Sequence, residues 1–316
     1  MTITGKRRTL AQLDARTGAS LVAPTLIIVA VVVVVPLVWS VVIAFQRLKL
    51  INVGRQGLFE NLSVDNFVRV LTSDSLWNSL GTTVAYTTGS VILSISLGLV
   101  AAMIVRKPFR GRTLVRASFL LPYVAPVVAV TFVWRTMLNP EFGIVNEFGQ
   151  NVLGWRDAIP FLSQTQAVWD VLGAEVSVPT ALLTAIAFEG WRYFPFAFLF
   201  LMARLEAMSS EPEEAALVDG ATPLQSFRYV VLPQLMPVIV LLTVLRTIWT
   251  FNEFDDIFLL TGGAAGTGVA SVRIFELLTV QRNVGAASAQ SVVLAIFLVA
   301  FLTVYAIISR KRGARL

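Results

Sequence analysis

The residues from Ser210 to Pro233, with the sequence SEPEEAALVDGATPLQSFRYVVLP, form a short polar segment between two long hydrophobic runs. Ser210 and Glu213 have the spacing of a capping box, in which two side chains satisfy free amide groups at the start of a helix. Gly220 is expected to end that helix, because glycine accepts the left-handed backbone conformation found at helix C-termini. The pattern therefore predicts a short first helix inside this segment.

A second short helix is predicted to follow, because Thr222 and Gln225 repeat the capping-box spacing. We expect Pro233 to interrupt it before the next hydrophobic run, since proline lacks the amide hydrogen that a helix interior needs. Ala215 and Ala216 leave the first helix almost bare, so another surface can approach its backbone closely. The segment is thus either a docking knob for a cleft on another protein or an ordinary solvated loop.

The composition indicates a protein that crosses a membrane several times. Of 316 residues, 56% are hydrophobic and 14% are charged, whereas soluble domains carry about 45–50% apolar and about 25% charged residues. The chain has no cysteine and no histidine. These absences exclude disulfides, a thiol nucleophile and a histidine general base, so an enzyme would lack its usual catalytic groups.

Hydrophobic runs of about 20 residues or more predict an all-α fold with six membrane-spanning helices. The predicted spans are residues 21–45, 77–105, 114–138, 179–204, 234–260 and 289–309. They divide the chain into an N-terminal tail (1–20), a transmembrane domain (21–309) that includes the polar loop 205–233, and a C-terminal tail (310–316). The spans imply contact with membrane lipid.

The basic residues are distributed as a membrane orientation requires. Fifteen of the 25 Lys and Arg residues lie on the side that holds both termini and the 205–233 loop, and eight lie on the other side. Cytoplasmic loops of membrane proteins are enriched in Lys and Arg. Both termini and the loop are therefore predicted to be cytoplasmic, and the net charge of +6 needs no nucleic-acid partner.

The 205–233 loop resembles the EAA loop of ATP-binding-cassette importer permeases. The family pattern is Glu-Ala-Ala, then glycine after three residues, then Ile-x-Leu-Pro after nine more. Here the matching residues are Glu214, Ala215, Ala216, Asp219, Gly220, Leu232 and Pro233, at the same spacing. Val230 replaces the usual isoleucine, which keeps an apolar β-branched side chain.

Weaker matches occur in the expected order along residues 20–309. They include Asp65-Asn66-Phe67, Gly143-x-x-Asn146 and Trp191-Arg192-x-x-Pro195-Phe196, which are similar to sugar-importer permeases. Phe254-Asp255-x-Ile257 looks like the first-named permease of the paired maltose-type and glycerol-phosphate-type systems. This resemblance implies a sugar or polyol derivative as the transported solute and the bacterial inner membrane as the location.

The resemblance also implies the partners. These are a second permease subunit, favoured to be a different chain in a heterodimer, two ATPase subunits and an extracytoplasmic solute-binding protein. The EAA loop would be the coupling helix that seats in a groove of the ATPase. ATP and Mg²⁺ would be bound by that ATPase, since the glycine-rich residues 261–268 lack the Gly-Lys-Ser/Thr ending of a phosphate-binding loop.

Two predicted spans carry polar side chains, which are costly in a bilayer and therefore face protein or water. At helical spacing the residues are Glu189, Arg192 and Phe196 in one span, and Arg246, Trp249, Thr250 and Glu253 in the next. They could line a passage for a hydroxylated solute. Alternatively they are structural, with Glu189 neutralising Arg192 and with Arg246 pairing either with Glu253 or with a partner subunit.

Two other functions remain open from the residues alone. An ion-gradient-driven secondary transporter would use Glu189 or Glu253 to bind protons and would need no ATPase. A membrane enzyme would rely on acidic side chains. Asp255 and Asp256 lie near the predicted outer end of a span, and we expect both to be solvated or interfacial.

Overall fold

The computed structural model of the chain describes residues 10–55, 57, 59–171 and 174–313. Within these residues the fold is helical apart from one β-hairpin, which confirms the predicted all-α class. In chain order the elements are α1 (Leu10–Val29), α2 (Val35–Ala44), α3 (Asp65–Leu71), α4 (Asp74–Ile104), α5 (Arg112–Val124), α6 (Val127–Met137), α7 (Ile144–Asn151), β1 (Ala167–Val171), β2 (Ala174–Val178), α8 (Thr180–Glu206), α9 (Glu211–Val218), α10 (Pro223–Ser226), α11 (Leu232–Phe251), α12 (Asp255–Thr261), α13 (Ala270–Thr279) and α14 (Val284–Gly313).

Four continuous helical segments are long and apolar enough to cross a membrane. They are Ser20–Ala44, Asp74–Ile104, Pro223–Phe251 and Val284–Ile307. The predicted third span is instead two helices, α5 and α6, which meet at an angle of 96°. Pro126 stands at this break, where it cannot continue a helix. Helix α8 has 27 residues, but its internal Glu and Arg residues make it less apolar than the other spans.

Two widened π-helical turns each lie just before a proline. One covers Ala30–Val34 and precedes Pro36, and the other covers Phe227–Val231 and precedes Pro233. A proline ring clashes with the carbonyl four residues earlier, and a wider turn relieves that clash without ending the helix. The expected interruption at Pro233 is therefore wrong, because α10, the π turn and α11 form one continuous span.

The chain divides into two units, of which the first comprises residues up to 72 together with 277–293. Here Asn66 is buried and its amide donates to the carbonyls of Ala44 (3.0 Å) and Gln46 (2.7 Å). Asp65 pairs with Arg47. A hydrogen bond from Ser63 and this guanidinium hold the pKa of the Asp65 carboxyl below its ordinary value. The Asp-Asn-Phe motif thus fixes the chain where the first long helix ends.

The second unit, residues 73–276 with 294–313, is organised around the packing of α4 against α8. A Cβ atom added to Gly98 would lie 2.7 Å from the Ala197 Cβ atom and 2.8 Å from the Phe198 amide nitrogen. Small residues allow such close approach of helix backbones in membranes. The glycine therefore sets the distance between the two helices.

The polar segment 139–178 contains more regular structure than its composition suggests. It holds α7 and the antiparallel pair β1–β2, with Ala167 opposite Val178. Before the hairpin, the buried side chain of Asn146 donates to the Ile159 carbonyl (3.0 Å) and accepts from the Ile159 amide (2.7 Å). This asparagine therefore folds the segment back on itself.

Candidate functional site

Helices α9 and α10, residues 211–226, form the compact element that we name the docking knob. Gly220 has φ +81°, the left-handed conformation expected from the sequence. The Gly220 amide donates to the Leu217 carbonyl (3.0 Å) and the Ala221 amide to the Ala216 carbonyl (2.9 Å). This pair of bonds is a Schellman motif, which satisfies carbonyls at the end of α9 and reverses the chain towards α10.

The two predicted capping boxes have different outcomes. Thr222 accepts from the Gln225 amide, and the Gln225 carboxamide oxygen accepts from the Thr222 amide (2.8 Å), so the second box is confirmed. The first box is wrong, because Ser210 makes no side-chain cap bond and α9 begins at Glu211.

The carboxylate of Glu213 is bound to Arg106, beyond the end of α4, rather than to the start of its own helix. Arg106 Nη1 donates to Glu213 Oε2 at 2.8 Å, and Nη2 donates to the other carboxylate oxygen. A two-pronged guanidinium bond competes effectively with a single amide donor. This bond takes the Glu213 carboxylate away from the Ser210 amide, and Ser210 itself has a helical backbone conformation (φ −78°, ψ −19°) rather than the extended one typical of a capping residue.

The free face of the docking knob combines acidic and apolar groups. Glu214, Ala215 and Asp219 are exposed, and Ala216 is half-buried. Leu217 and Val218 are 59% and 88% exposed. At the other end of the predicted loop, Leu232 is half-buried and Pro233 is exposed. Apolar side chains this open in a polar setting are typical of interaction surfaces.

Most of the predicted passage residues lie in a charge cluster, which we define as Glu189, Arg192, Arg246, Glu253 and Asp256. Glu189 and Arg246 are 0% and 1% exposed, and Arg246 Nη2 donates to Glu189 Oε1 at 2.6 Å. The same oxygen accepts from the buried Thr250 hydroxyl (3.0 Å). Tyr86 of α4 donates to Glu189 Oε2 (3.2 Å). Glu189 therefore receives hydrogen bonds from two neighbouring helices, α4 and α11.

The ion pairs differ from both pairings expected from the sequence. Glu189 pairs with Arg246 across helices rather than with Arg192, and Arg192 pairs with Asp256. The expectation that Asp256 is solvated is therefore wrong, since this residue is 1% exposed. Asp255 is exposed, as expected. Glu253 is half-buried, and one of its carboxylate oxygens accepts from the Asp256 amide (3.3 Å).

The charge cluster brings three acidic groups close together. Oxygen atoms of Glu189, Glu253 and Asp256 lie within 4.8 Å of one another, a spacing compatible with a cation. Two of these carboxylates already accept from guanidinium groups. Buried charges are tolerated when paired and hydrogen-bonded. The arrangement therefore cross-links α8, α11 and α12.

An aromatic wall lies beside the charge cluster, formed by Tyr123, Tyr193, Phe196, Phe200 and Trp249. The rings of Phe196 and Trp249 are 5.1 Å apart. Tyr123 and Trp249 are 43% and 46% exposed, so this wall is open. The Arg246 guanidinium lies 4.1 Å from the Tyr193 ring centre, which joins the wall to the charge cluster behind it.

Tyr86, Tyr193 and Arg106 are not among the site residues predicted from the sequence. Tyr86 is a polar residue inside a predicted span, so its cost in a bilayer was a signal that it bonds to protein. Tyr193 follows Arg192 directly and carried no separate signal. Arg106 belongs to a basic group that served only to orient the chain.

Comparisons with known proteins place these features in one family. A family model described as "Binding-protein-dependent transport system inner membrane component" matches residues 94–313. The chain is 35% identical to the inner membrane ABC transporter permease protein YcjO of Escherichia coli, over 92% of both chains. It is 30% identical to the trehalose/maltose transport system permease protein MalF of Thermococcus litoralis, over 95% of both.

A solved structure has the same fold. It is a bacterial ABC transporter involved in the import of the acidic polysaccharide alginate, with a TM-score of 0.77 and 21% sequence identity. The match covers 94% of this chain and 96% of the other. The fold around the docking knob and the aromatic wall is thus one that an importer chain adopts.

Proposed function

The chain belongs to the family of binding-protein-dependent transport system inner membrane components, and from this premise we propose that it is the permease subunit of an ATP-binding-cassette importer for a sugar or sugar derivative. The family match over residues 94–313 carries this proposal. The name of the 30% identical Thermococcus relative, a trehalose/maltose permease, supports a sugar as the solute. This chain lies in the inner membrane, which it crosses several times.

We propose that a separate ATPase drives transport by binding the docking knob. The exposed Leu217 and Val218 supply an apolar contact, and the exposed Glu214 supplies an acid for a basic group in the ATPase groove. Ala215 lets the groove approach the helix backbone, and Gly220 shapes the turn. The full set of proposed coupling residues is Glu214, Ala215, Ala216, Asp219, Gly220, Leu232 and Pro233.

The proposed assembly contains a second permease, two ATPase subunits that bind ATP and Mg²⁺, and an extracytoplasmic solute-binding protein. The name of the family supports the last of these partners, since its members act with a binding protein. Both termini and the docking knob are proposed to be cytoplasmic, on the side where ATP is available.

We propose that the solute passes along the aromatic wall rather than through the charge cluster. Trp249 is 46% exposed and packs against the half-buried Phe196, and its ring can cover the apolar face of a sugar. Glu189, Arg246 and Thr250 are buried and bonded to one another, so they support the wall from behind. Arg192 and Glu253 are less buried and stand at its edge.

Glu189, one of the two carboxylates that an ion-gradient mechanism would use, is bound by protein donors. Its oxygens accept from Arg246, Thr250 and Tyr86. This geometry disfavours Glu189 as a proton carrier. The match to the importer family is what favours the ATP-driven function over an ion-gradient mechanism.

Variants of the docking knob test this function in the assembled transporter. Gly220→Val forces a β-branched side chain into φ +81°, so we expect loss of solute uptake with ATP hydrolysis retained but no longer stimulated by solute. Gly220→Asn is the matched control, since asparagine tolerates this conformation and should keep uptake. Wild-type protein that co-purifies with no ATPase, or normal uptake in Gly220→Val, would contradict the proposal.

The aromatic wall is tested by Trp249→Ala compared with Trp249→Phe. We expect uptake to fall about tenfold or more in the first variant, because burial of a large apolar side chain contributes about 1.5–3 kcal/mol. The phenylalanine variant keeps a ring and should retain most of the uptake. Transport of radiolabelled sugar into proteoliposomes measures both, and equal uptake by the two variants would exclude Trp249 from the passage.

A further inference from the structure

Helix α9 has little apolar packing to hold it in place. It has eight residues and none of them is buried. Four residues, 207–210, separate it from α8, and the Gly220 turn separates it from α10. A helix this short is marginal by itself in water. Something other than apolar burial must therefore fix its direction.

The bond between Arg106 and Glu213 supplies such a constraint. Both carboxylate oxygens of Glu213 accept from the same guanidinium, with one N–O distance of 2.8 Å. The Arg106 and Glu213 side chains are only 24% and 21% exposed, so solvent screens this pair less than an open surface pair. The two-pronged geometry fixes orientation as well as distance.

The backbone that carries Arg106 is itself fixed. Val105 is 0% exposed. Arg112 Nε donates to the Val105 carbonyl (2.6 Å), and Arg112 Nη2 donates to the Arg106 carbonyl (3.1 Å). Arg116 Nη2 donates to Glu206 Oε1 at the end of α8 (2.6 Å). Arg106 thus joins α9 to the end of α4, and Arg112 at the start of α5 holds the backbone of Arg106 in place.

We propose that Arg106 is a positioning residue that ties the first helix of the docking knob to the end of α4, so that a displacement of the knob moves the spans instead of bending the 207–210 connection. This inference rests on the proposed docking role of the knob. The Arg106–Glu213 bond connects the docking knob to α4, the helix that packs against α8.

A distance measurement on the purified full-length chain tests the Arg106–Glu213 link with no ATPase present. The chain has no cysteine, so Val218→Cys and Leu114→Cys place two spin labels at exposed positions on the knob and on α5. We expect Arg106→Gln to broaden the distance distribution between the labels. Lys107→Gln, which removes the same charge at an exposed neighbouring residue, should leave it unchanged. The exchange Arg106→Glu with Glu213→Arg should restore the narrow distribution.

A second measurement, on the assembled transporter, tests whether the Arg106–Glu213 bond affects the coupling of ATP hydrolysis to solute uptake. We expect Arg106→Gln to retain the bound ATPase but to take up about fivefold less solute per ATP hydrolysed, as loss of a partly exposed ion pair predicts. The charge exchange should recover at least half of that coupling. Distance distributions or coupling ratios equal to those of Lys107→Gln would overturn the positioning role. Absence of ATPase from the wild-type complex would instead contradict the proposed function.

Discussion

Glu189 lies in the interior with its two carboxylate oxygens facing donors from two helices. Arg246 and Thr250 of α11 bind one oxygen, and Tyr86 of α4 binds the other. Separating a buried carboxylate from its cation leaves an uncompensated charge, which costs about 3–5 kcal/mol. Glu189 and Arg246 are therefore each needed to pair the buried charge of the other.

This dependence predicts the effect of Arg246→Met. The free energy of unfolding should fall by about 3–5 kcal/mol, because Glu189 would be left charged and unpaired. Adding Glu189→Gln should recover part of the loss, since the amide carries no charge, its oxygen can accept from one of the two hydroxyl groups of Tyr86 and Thr250, and its NH2 group can donate to the other. Denaturant titration of the purified chain in detergent measures both variants. Arg110→Met, at an exposed position, is the control, and an equal loss in that variant would contradict the prediction.

At the scale of elements, some glycines of α4 and α8 lie against the neighbouring helix with no room for a side chain. Gly98 lies against Ala197 and the Phe198 backbone, and a Cβ atom on Gly190 would lie 2.5 Å from Leu93 Cδ2. Gly81 of α4 has no atom within 4 Å of the corresponding point. The same residue type therefore has a packing role at one position of α4 and none at another.

Gly98→Ala and Gly81→Ala should change stability in opposite directions. The first inserts a methyl group into backbone contact and should cost about 1–3 kcal/mol. The second removes a flexible residue from a helix and should add up to about 1 kcal/mol. Thermal or denaturant unfolding of the purified chain compares them. A stabilising Gly98→Ala would show that α4 and α8 are not held at the distance seen here.

Local rules predicted those elements whose determinants are close in sequence. The glycine turn at Gly220 and the Thr222 capping box depend on residues within a few positions, and both are present. In the failed Ser210 box, the Glu213 carboxylate is bound by Arg106, about a hundred residues earlier, and Ser210 has a helical conformation. The partners of Arg192 and Arg246 likewise depend on how distant helices meet. A single sequence shows which charged residues inside a span need a partner. It does not show which partner the packing of distant helices brings to them.

At the scale of the whole molecule, apolar length predicted most spans but not their form. The third span turns by 96° at Pro126, and the fourth carries buried charges. Hydropathy measures the cost of placing a segment in lipid, and it does not register a bend or an ion pair that lowers that cost. The side of the membrane on which each loop lies follows only from the basic residues.

Cysteine labelling tests that orientation in a chain without native cysteines. In cells that lack the ATPase subunit, which would otherwise cover this position, Val218→Cys on the docking knob should react with a membrane-impermeant maleimide only after the cells are permeabilised. Glu141→Cys, exposed in the 139–178 segment, should react in intact cells. Reaction of Val218→Cys in intact cells would reverse the orientation and remove the knob from the compartment that contains ATP.

The π turn at Phe227–Val231 places one extra residue between α10 and α11. A π turn contains one residue more than the α-helical path requires. If that residue were absorbed into regular α-helix, α10 would rotate by about 100° around the helix axis and shift by about 1.5 Å along it. Pro233 favours the wider turn at this point, because its ring crowds the carbonyl four residues earlier. Loss of the extra residue would therefore turn the docking knob relative to the span that carries it.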